Sequence, residues 1–238
     1  GGEKFAYLDG SNQLLTERLV ALAAGLAEIR TKTPVQALER TAAGFTVRTP
    51  GGDLHADRVV NTLAFTAFEK VEKNFPFTHT IRYQGAINGI FVVEEKVTDL
   101  YWINILDPEI SFRVLVNQSK LGSYDKTILY CGNYISPQSE MFQRSSEDLA
   151  ATYRADLEKI FGKLTVVDHA VFRTPVATPI FDKDFGGRLD HVRGQVAGME
   201  LAGNAMIYPG TRTLSSVFRT GVEAAERIGP AAALAKAA

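Results

Sequence analysis

The chain has 238 residues, of which 45% are apolar and 22% charged, with a formal net charge of −1. Its Lys and Arg residues are scattered rather than gathered into a basic stripe, which argues against nucleic-acid binding. No run approaches the roughly 20 apolar residues of a membrane span, no charged-then-apolar leader pattern opens the sequence, and the lone cysteine, Cys131, cannot form an internal disulfide, so a reducing, cytoplasmic setting is expected.

In chain order, the first predicted element is a helix from Asn12 to Ala27. Ser11 is its N-cap, and Leu15, Leu19, Leu22 and Leu26 form a stripe expected to be buried. A strand is predicted to begin at Thr33-Pro34-Val35, followed by a meander through Gly44 to Val47, a turn at Pro50-Gly51-Gly52, and a last strand from Ala56 to Val60. From Phe65 to about Gln195 strand-like runs dominate: Ile81 to Gln84, Ile87 to Val93, Tyr101 to Ile105, Phe112 to Val116 and Thr127 to Tyr134. Polar or Pro/Gly loops separate them, which predicts an antiparallel sheet. Ser145 and Asp148 then form a capping signature for a helix carrying Leu149, Tyr153, Leu157, Ile160 and Phe161. Val166 to Phe172 is a predicted strand, Thr174 to Arg193 a Pro/Gly-rich loop region, and Thr213 to Ile228 an amphipathic helix. The Ala-rich stretch after Pro230 is expected to fray.

The candidate site lies near the end of the chain. Leu201-Ala202-Gly203-Asn204 is a short apolar strand ending on a small residue. Tyr208-Pro209-Gly210-Thr211-Arg212 follows as a loop, and the helix then starts at Thr213. Helix N-terminal amides lack internal partners and carry partial positive charge, so such a junction suits an anion. Other chemistries find no support. The four histidines are dispersed without ligand spacing, so no metal is expected. There is no GxSxG elbow, and Glu94-Glu95 and Asp182/Asp184 are spaced like solvated loop charges.

Taken in order, Asp9-Gly10-Ser11, the leucine-rich helix, the meander, the Leu201–Asn204 stretch and the Thr213 helix resemble the FAD-dependent amine oxidase superfamily, which includes protoporphyrinogen oxidases and phytoene desaturases. The surroundings of Tyr101-Trp102-Ile103-Asn104 and of Tyr208-Pro209 through Arg212 resemble its protoporphyrinogen oxidase-like branch. The resemblance implies a mixed α+β fold. Residues 1–64 and 196–238 would form an incomplete FAD-binding lobe, and residues 65–195 an inserted antiparallel-sheet, substrate-type domain.

It also implies FAD contacts at Val35, Gly203, Asn204, Thr211, Arg212, Thr213, Leu214 and Ser215, with Tyr101, Trp102 and Tyr208 lining a substrate cavity. Asn204 stands where the family usually has Asp. The superfamily's opening strand–GxGxxG–helix unit has no counterpart in this sequence, since Gly51-Gly52 and Gly186-Gly187 lack both spacing and context. A shortened polypeptide, a divided flavoprotein whose partner supplies that unit, or a relic are the expectations. The complete protein would oxidise a small organic substrate by hydride transfer to flavin, and this chain alone would be inactive. A non-catalytic binding or structural module is the alternative. Apolar surface left uncovered by the absent unit predicts self-association, a GxGxxG-bearing partner, or a rearranged N-terminal segment.

Overall fold

The computed structural model describes residues 7–8, 11–73 and 81–229. Asp9-Gly10 of the opening motif, His79 and the Ala-rich tail lie outside the described residues. In chain order the elements are α1 (Ser11–Ala23), β1 (Ala37–Thr41), β2 (Gly44–Thr49), β3 (Gly52–Ala56), β4 (Val59–Asn61), α2 (Phe65–Val71), β5 (Tyr83–Val93), β6 (Trp102–Asn104), β7 (Val114–Asn117) and β8 (Thr127–Ile135). They continue with α3 (Glu140–Gln143), α4 (Ser146–Phe161), β9 (Val166–Pro179), α5 (Phe185–Val192), β10 (Met199–Leu201) and α6 (Leu214–Ile228). A 3₁₀ turn at Asn204–Ile207 separates β10 from the loop before α6.

Contacts divide the chain into two compact units, Gly1–Ile29 with Gln84–Ala177, and Arg30–Tyr83 with Thr178–Ala238. These bounds differ from the expected 1–64/196–238 and 65–195. The first 29 residues fall with the sheet unit rather than the expected lobe, and two short helices account for the shift of the inner bounds. Phe65 and Phe68 of α2 join Leu38, Phe45 and Met199 in one core, and Phe185, Leu189 and Val192 of α5 join the same cluster. The sequence reading placed α5 within a Pro/Gly-rich loop. Its apolar residues recur at helical spacing and are buried. β9 also runs on through Thr174 to Pro179, where a loop was expected.

The first unit carries a five-stranded sheet of order β6-β7-β8-β5-β9, with β5·β8, β7·β8 and β6·β7 antiparallel. Strand side chains alternate between faces. Ile87, Phe91 and Val93 of β5 are buried, as are Leu129 and Cys131 of β8, in a core with Leu149, Tyr153 and Leu157 of α4. A Cβ on Gly89 would sit 2.6 Å from the Tyr153 ring, so only glycine lets that ring approach the strand. The expected cap of α4 is present: Ser145 Oγ accepts from the Asp148 amide at 3.0 Å.

Helix α1 departs from expectation. Ser11 Oγ does accept from the Gln13 amide at 3.2 Å, but the helix stops at Ala23 rather than Ala27, ahead of Gly25 at φ 81°. None of its residues is buried. Leu15 is half-buried, but the rest of the leucine stripe is open, Leu22 being 72% and the following Leu26 87% exposed.

The second unit holds an antiparallel meander β1-β2-β3 and a two-stranded parallel sheet, β4 with β10. The register of the latter is Val59↔Met199, Val60↔Glu200 and Asn61↔Leu201. Two sequence-distant segments therefore do share one sheet. Side chains tie α6 to the same sheet: Arg227 Nε donates to Glu200 Oε2 at 2.6 Å, and Arg58 Nη1 donates to the Ile228 carbonyl at 3.0 Å. In α6 the buried residues are Thr220 and Ala224, while Gly221 and Ala225 are exposed.

Candidate functional site

The end of β10 is held from three sides. The Ala202 amide donates to the Asn61 carbonyl at 3.0 Å, which continues the parallel pairing one residue past the strand. The Gly203 amide donates to Thr220 Oγ1 at 2.8 Å, and that hydroxyl donates to the Val217 carbonyl at 2.7 Å. The end of β10 is thus tied to β4 through Ala202 and to α6 through Gly203. Its φ of 118° and ψ of −167° belong to a region essentially reserved for glycine. A Cβ there would meet only the Thr62 carbonyl oxygen, at 3.6 Å. The requirement is conformational, and the space beside the residue is open.

Beyond the Asn204–Ile207 turn the chain passes through a cis Tyr208–Pro209 bond to the start of α6. Thr213 is the N-cap; its Oγ1 accepts from the Ser216 amide at 3.1 Å and contacts Ser216 Oγ at 2.9 Å. The Thr213 carbonyl takes the Val217 amide. The amides of Leu214 and Ser215 have no hydrogen-bond partner among the described residues, and both residues are exposed. Two N–H groups with the positive end of a 15-residue helix behind them face outward. The Asn204 and Thr211 side chains likewise have no partner among the described residues, so each can hydrogen-bond a ligand.

Arg212 is placed differently from the simplest expectation. Its Nη1 donates to the Pro179 carbonyl at 2.9 Å, and its guanidinium lies 5.1 Å from the centre of the Phe181 ring. It braces the loop, and only its remaining N–H groups could meet an anion. Tyr208 packs edge-on against Phe181, with ring centroids 5.4 Å apart, and lies 5.2 Å from Phe185. Its ring belongs to the core of its unit. Val35 sits in the segment before β1 and is 40% exposed.

Tyr101 and Trp102 belong to the other unit, where the sheet face opposite α4 is open. A cavity of about 510 Å³ lies on that face, within the range of small-molecule sites. Its lining includes Trp102, Arg113, Val114, Val116, Tyr130 and Tyr134. Trp102 is half exposed, and its indole N–H donates to Asn104 Oδ1 at 2.9 Å. Burial raises the Tyr130 phenol above its ordinary value, helped by the neighbouring Tyr7 and Tyr124 phenols, so Tyr130 is a neutral hydroxyl at pH 7. Of the residues named from the sequence, Trp102 is in this lining and Tyr101 is not, while Arg113, Tyr130 and Tyr134 were not singled out. The period-2 alternation of β8, with Leu129 and Cys131 on the buried face, is the signal that could have placed the two tyrosines on the other.

Cys131 is fully buried, and burial raises its thiol far above the ordinary range, which removes it as a nucleophile. Among the described residues no group of three or more His, Cys, Asp or Glu could hold a metal ion, and no helix is long and apolar enough to cross a membrane.

With this geometry in place, comparison with known proteins locates the chain. It is similar in fold to a protein from Exiguobacterium sp. 255-15 provisionally assigned as a protoporphyrinogen oxidase, with a TM-score of 0.79 at 21% identity over 92% of this chain and 51% of that one. It is also similar to a putrescine oxidase solved with putrescine bound (TM-score 0.73, 18% identity, 93% and 53% covered). A reduced UDP-galactopyranose mutase is a further neighbour (TM-score 0.70, 13% identity, 86% and 49% covered). At these identities the likeness is one of fold, and the chain spans about half the length of these structures. No curated protein matches it in sequence. Residues 1–229 match the model of the flavin containing amine oxidoreductases, and the chain belongs to that family.

Proposed function

We propose that this member of the flavin containing amine oxidoreductases is the part of an FAD-dependent oxidoreductase that closes one side of the flavin site and carries the substrate cavity. The observation that carries this reading is the junction at Gly203. A parallel strand pair built from distant segments ends on a glycine-only conformation, beside a helix whose first amides are unpaired. The residues fit an anionic, planar group. Gly203 presents no side chain, Leu214 and Ser215 offer two N–H groups, and Asn204 and Thr211 offer polar side chains. Thr213 holds the first turn of α6 in place.

When bound, the flavin supplies the two-electron chemistry of taking a hydride equivalent from a small organic substrate. The part played by this chain is positional and electrostatic. Helix N-terminal amides favour negative charge in a bound ring system, and their orientation is set before the charge develops. Val35 is assigned to the adenine end, and Arg212, braced on Pro179, to the rim of the site. Asn204 in place of the usual Asp keeps a hydrogen-bonding side chain without its charge. A single buried cysteine suits a reducing, cytoplasmic setting.

A second reading, one subunit of a divided flavoprotein that cannot bind FAD by itself, is favoured by the exposed Leu19 and Leu22 of α1. FAD titration of the purified chain, with and without a polypeptide carrying the strand–GxGxxG–helix unit, tests both. Flavin absorbance that stays with the chain, and is lost on Gly203→Val, supports the first reading. Retention only in the presence of the added unit supports the second. No retention in either case, or retention unaffected by Gly203→Val, contradicts the assignment of the site.

A further inference from the structure

The open sheet face of the first unit has a specific chemical character that narrows the substrate class, an inference resting on the flavin-enzyme reading above. Around the cavity of about 510 Å³ the walls are mostly apolar and aromatic. Among the described residues no Asp or Glu lines it, and the one charged residue that does is Arg113. A site for a cationic amine would present a carboxylate or a cage of aromatics closing over the charge. Here the fixed charge has the opposite sign.

How Arg113 comes to face that cavity is visible in the ladder. Val114 pairs with Gly132, and the Arg113 amide donates to the same residue's carbonyl at 3.0 Å. Arg113, the residue just before β7, and Val114, its first residue, thus both oppose Gly132 of β8, the pattern of a β-bulge at the strand's start. The bulge shifts the alternation. Phe112 and Leu115 are buried in the core behind the sheet, while Arg113, Val114 and Val116 all line the open face. Without it, Arg113 would share the core-facing parity of Leu115.

The Arg113 carbonyl also accepts from the Ile105 amide at 2.9 Å, so its backbone is bonded to the strands on both sides. Nη1 donates to the Asp107 carbonyl at 2.8 Å, which leaves its other N–H groups without a partner among the described residues. The Asp107 carboxylate is turned instead to the Glu109 amide, at 2.9 Å. A guanidinium held in place, with donors to spare at the edge of an apolar cavity, is built to receive a carboxylate.

We propose that this cavity takes a substrate with an apolar body and a carboxylate, the body lying over Trp102 and Tyr130 and the carboxylate meeting Arg113. Trp102 is the chain's single tryptophan, so its emission reports directly on the cavity. The probes are 3-cyclohexylpropanoate, 3-cyclohexylpropan-1-ol and 3-cyclohexylpropylammonium, which do not absorb where tryptophan is excited. The expected result is a shift in Trp102 emission with the carboxylate binding about tenfold tighter than the alcohol, a margin typical of one charge-assisted hydrogen bond, and the ammonium weakest.

In Arg113→Gln the carboxylate's advantage should vanish while the alcohol binds within about twofold of its original affinity. Arg113→Lys, which keeps the charge, should retain part of it and serves if the glutamine variant does not fold. Ammonium binding as tight as carboxylate, an advantage that survives Arg113→Gln, or no emission change with any probe overturns the proposal. FAD titration of the same samples separates the two readings. Carboxylate preference without FAD binding supports the cavity assignment and counts only against the flavin site.

Discussion

Gly203 and Arg212 stand nine residues apart on the same junction and illustrate opposite kinds of constraint. At φ 118° Gly203 holds a conformation that costs other residues of order 1–3 kcal/mol, while the nearest atom to an added Cβ is 3.6 Å away. Gly203→Ala should therefore destabilise the chain by about that amount through backbone strain alone, read as a lower urea midpoint at unchanged slope. Arg212, by contrast, is fixed through its side chain. Replacing it with Ala removes both the bond to Pro179 and the stacking on Phe181, and a loss of about 1–2 kcal/mol in the same assay is expected. No loss would mean that the arginine is free for ligand contact only. The places of Gly203 and Thr213 in a strand–loop–helix junction were legible in the sequence, because strand ends and helix starts carry local signals. The partners of Arg212 were not, because Pro179 and Phe181 lie far back in the chain and are brought close only by folding.

Among the elements, those whose signals lie within one turn or one strand were read correctly. The cap of α4 at Ser145, the start of α6 beside Thr213 and the strand from Ile87 to Val93 are of this kind. Helix α5 was missed because Gly186 and Gly187 suggested a loop, while the buried Phe185, Leu189 and Val192 dominate its energetics. The bulge at Arg113 was invisible, since it is a property of pairing with Gly132. Helix α4 also carries a titrating group. Burial alone raises the Asp156 carboxyl, but the Lys159 ammonium at 2.7 Å and the Ser111 hydroxyl and amide outweigh it, so its value is lowered. A carboxyl with a depressed folded-state value adds stability above its unfolded value and loses it as pH falls through the folded one. Wild-type stability relative to Asp156→Asn should thus be greatest at neutral pH and shrink below about pH 4, near the ordinary Asp value. A gap that is independent of pH between 7 and 2 would contradict this account of the pair.

At the scale of the molecule, the separation of β4 from β10 in sequence is what makes the family assignment physically meaningful. A parallel pair of strands cannot form from adjacent segments without a crossover, and a two-stranded parallel sheet is small to stand uncovered. Val60 on β4 and the stripe of Leu214, Phe218 and Val222 on α6 are exposed, as are Leu19 and Leu22 of α1. Apolar surface on this scale is expected to be covered by association, with a second copy or with a GxGxxG-bearing segment. Size-exclusion chromatography with light scattering should show species above the 26.0 kDa monomer mass that increase with concentration. A monomer at every concentration would contradict it.

The site itself is tested most directly by amide hydrogen exchange at Gly203, Leu214 and Ser215, in the chain combined with a strand–GxGxxG–helix complement, before and after addition of FAD. Slower exchange of the outward-facing Leu214 and Ser215 amides when FAD binds is the expected result. FAD binding that protects other segments and leaves these amides exchanging at their original rates would contradict the account.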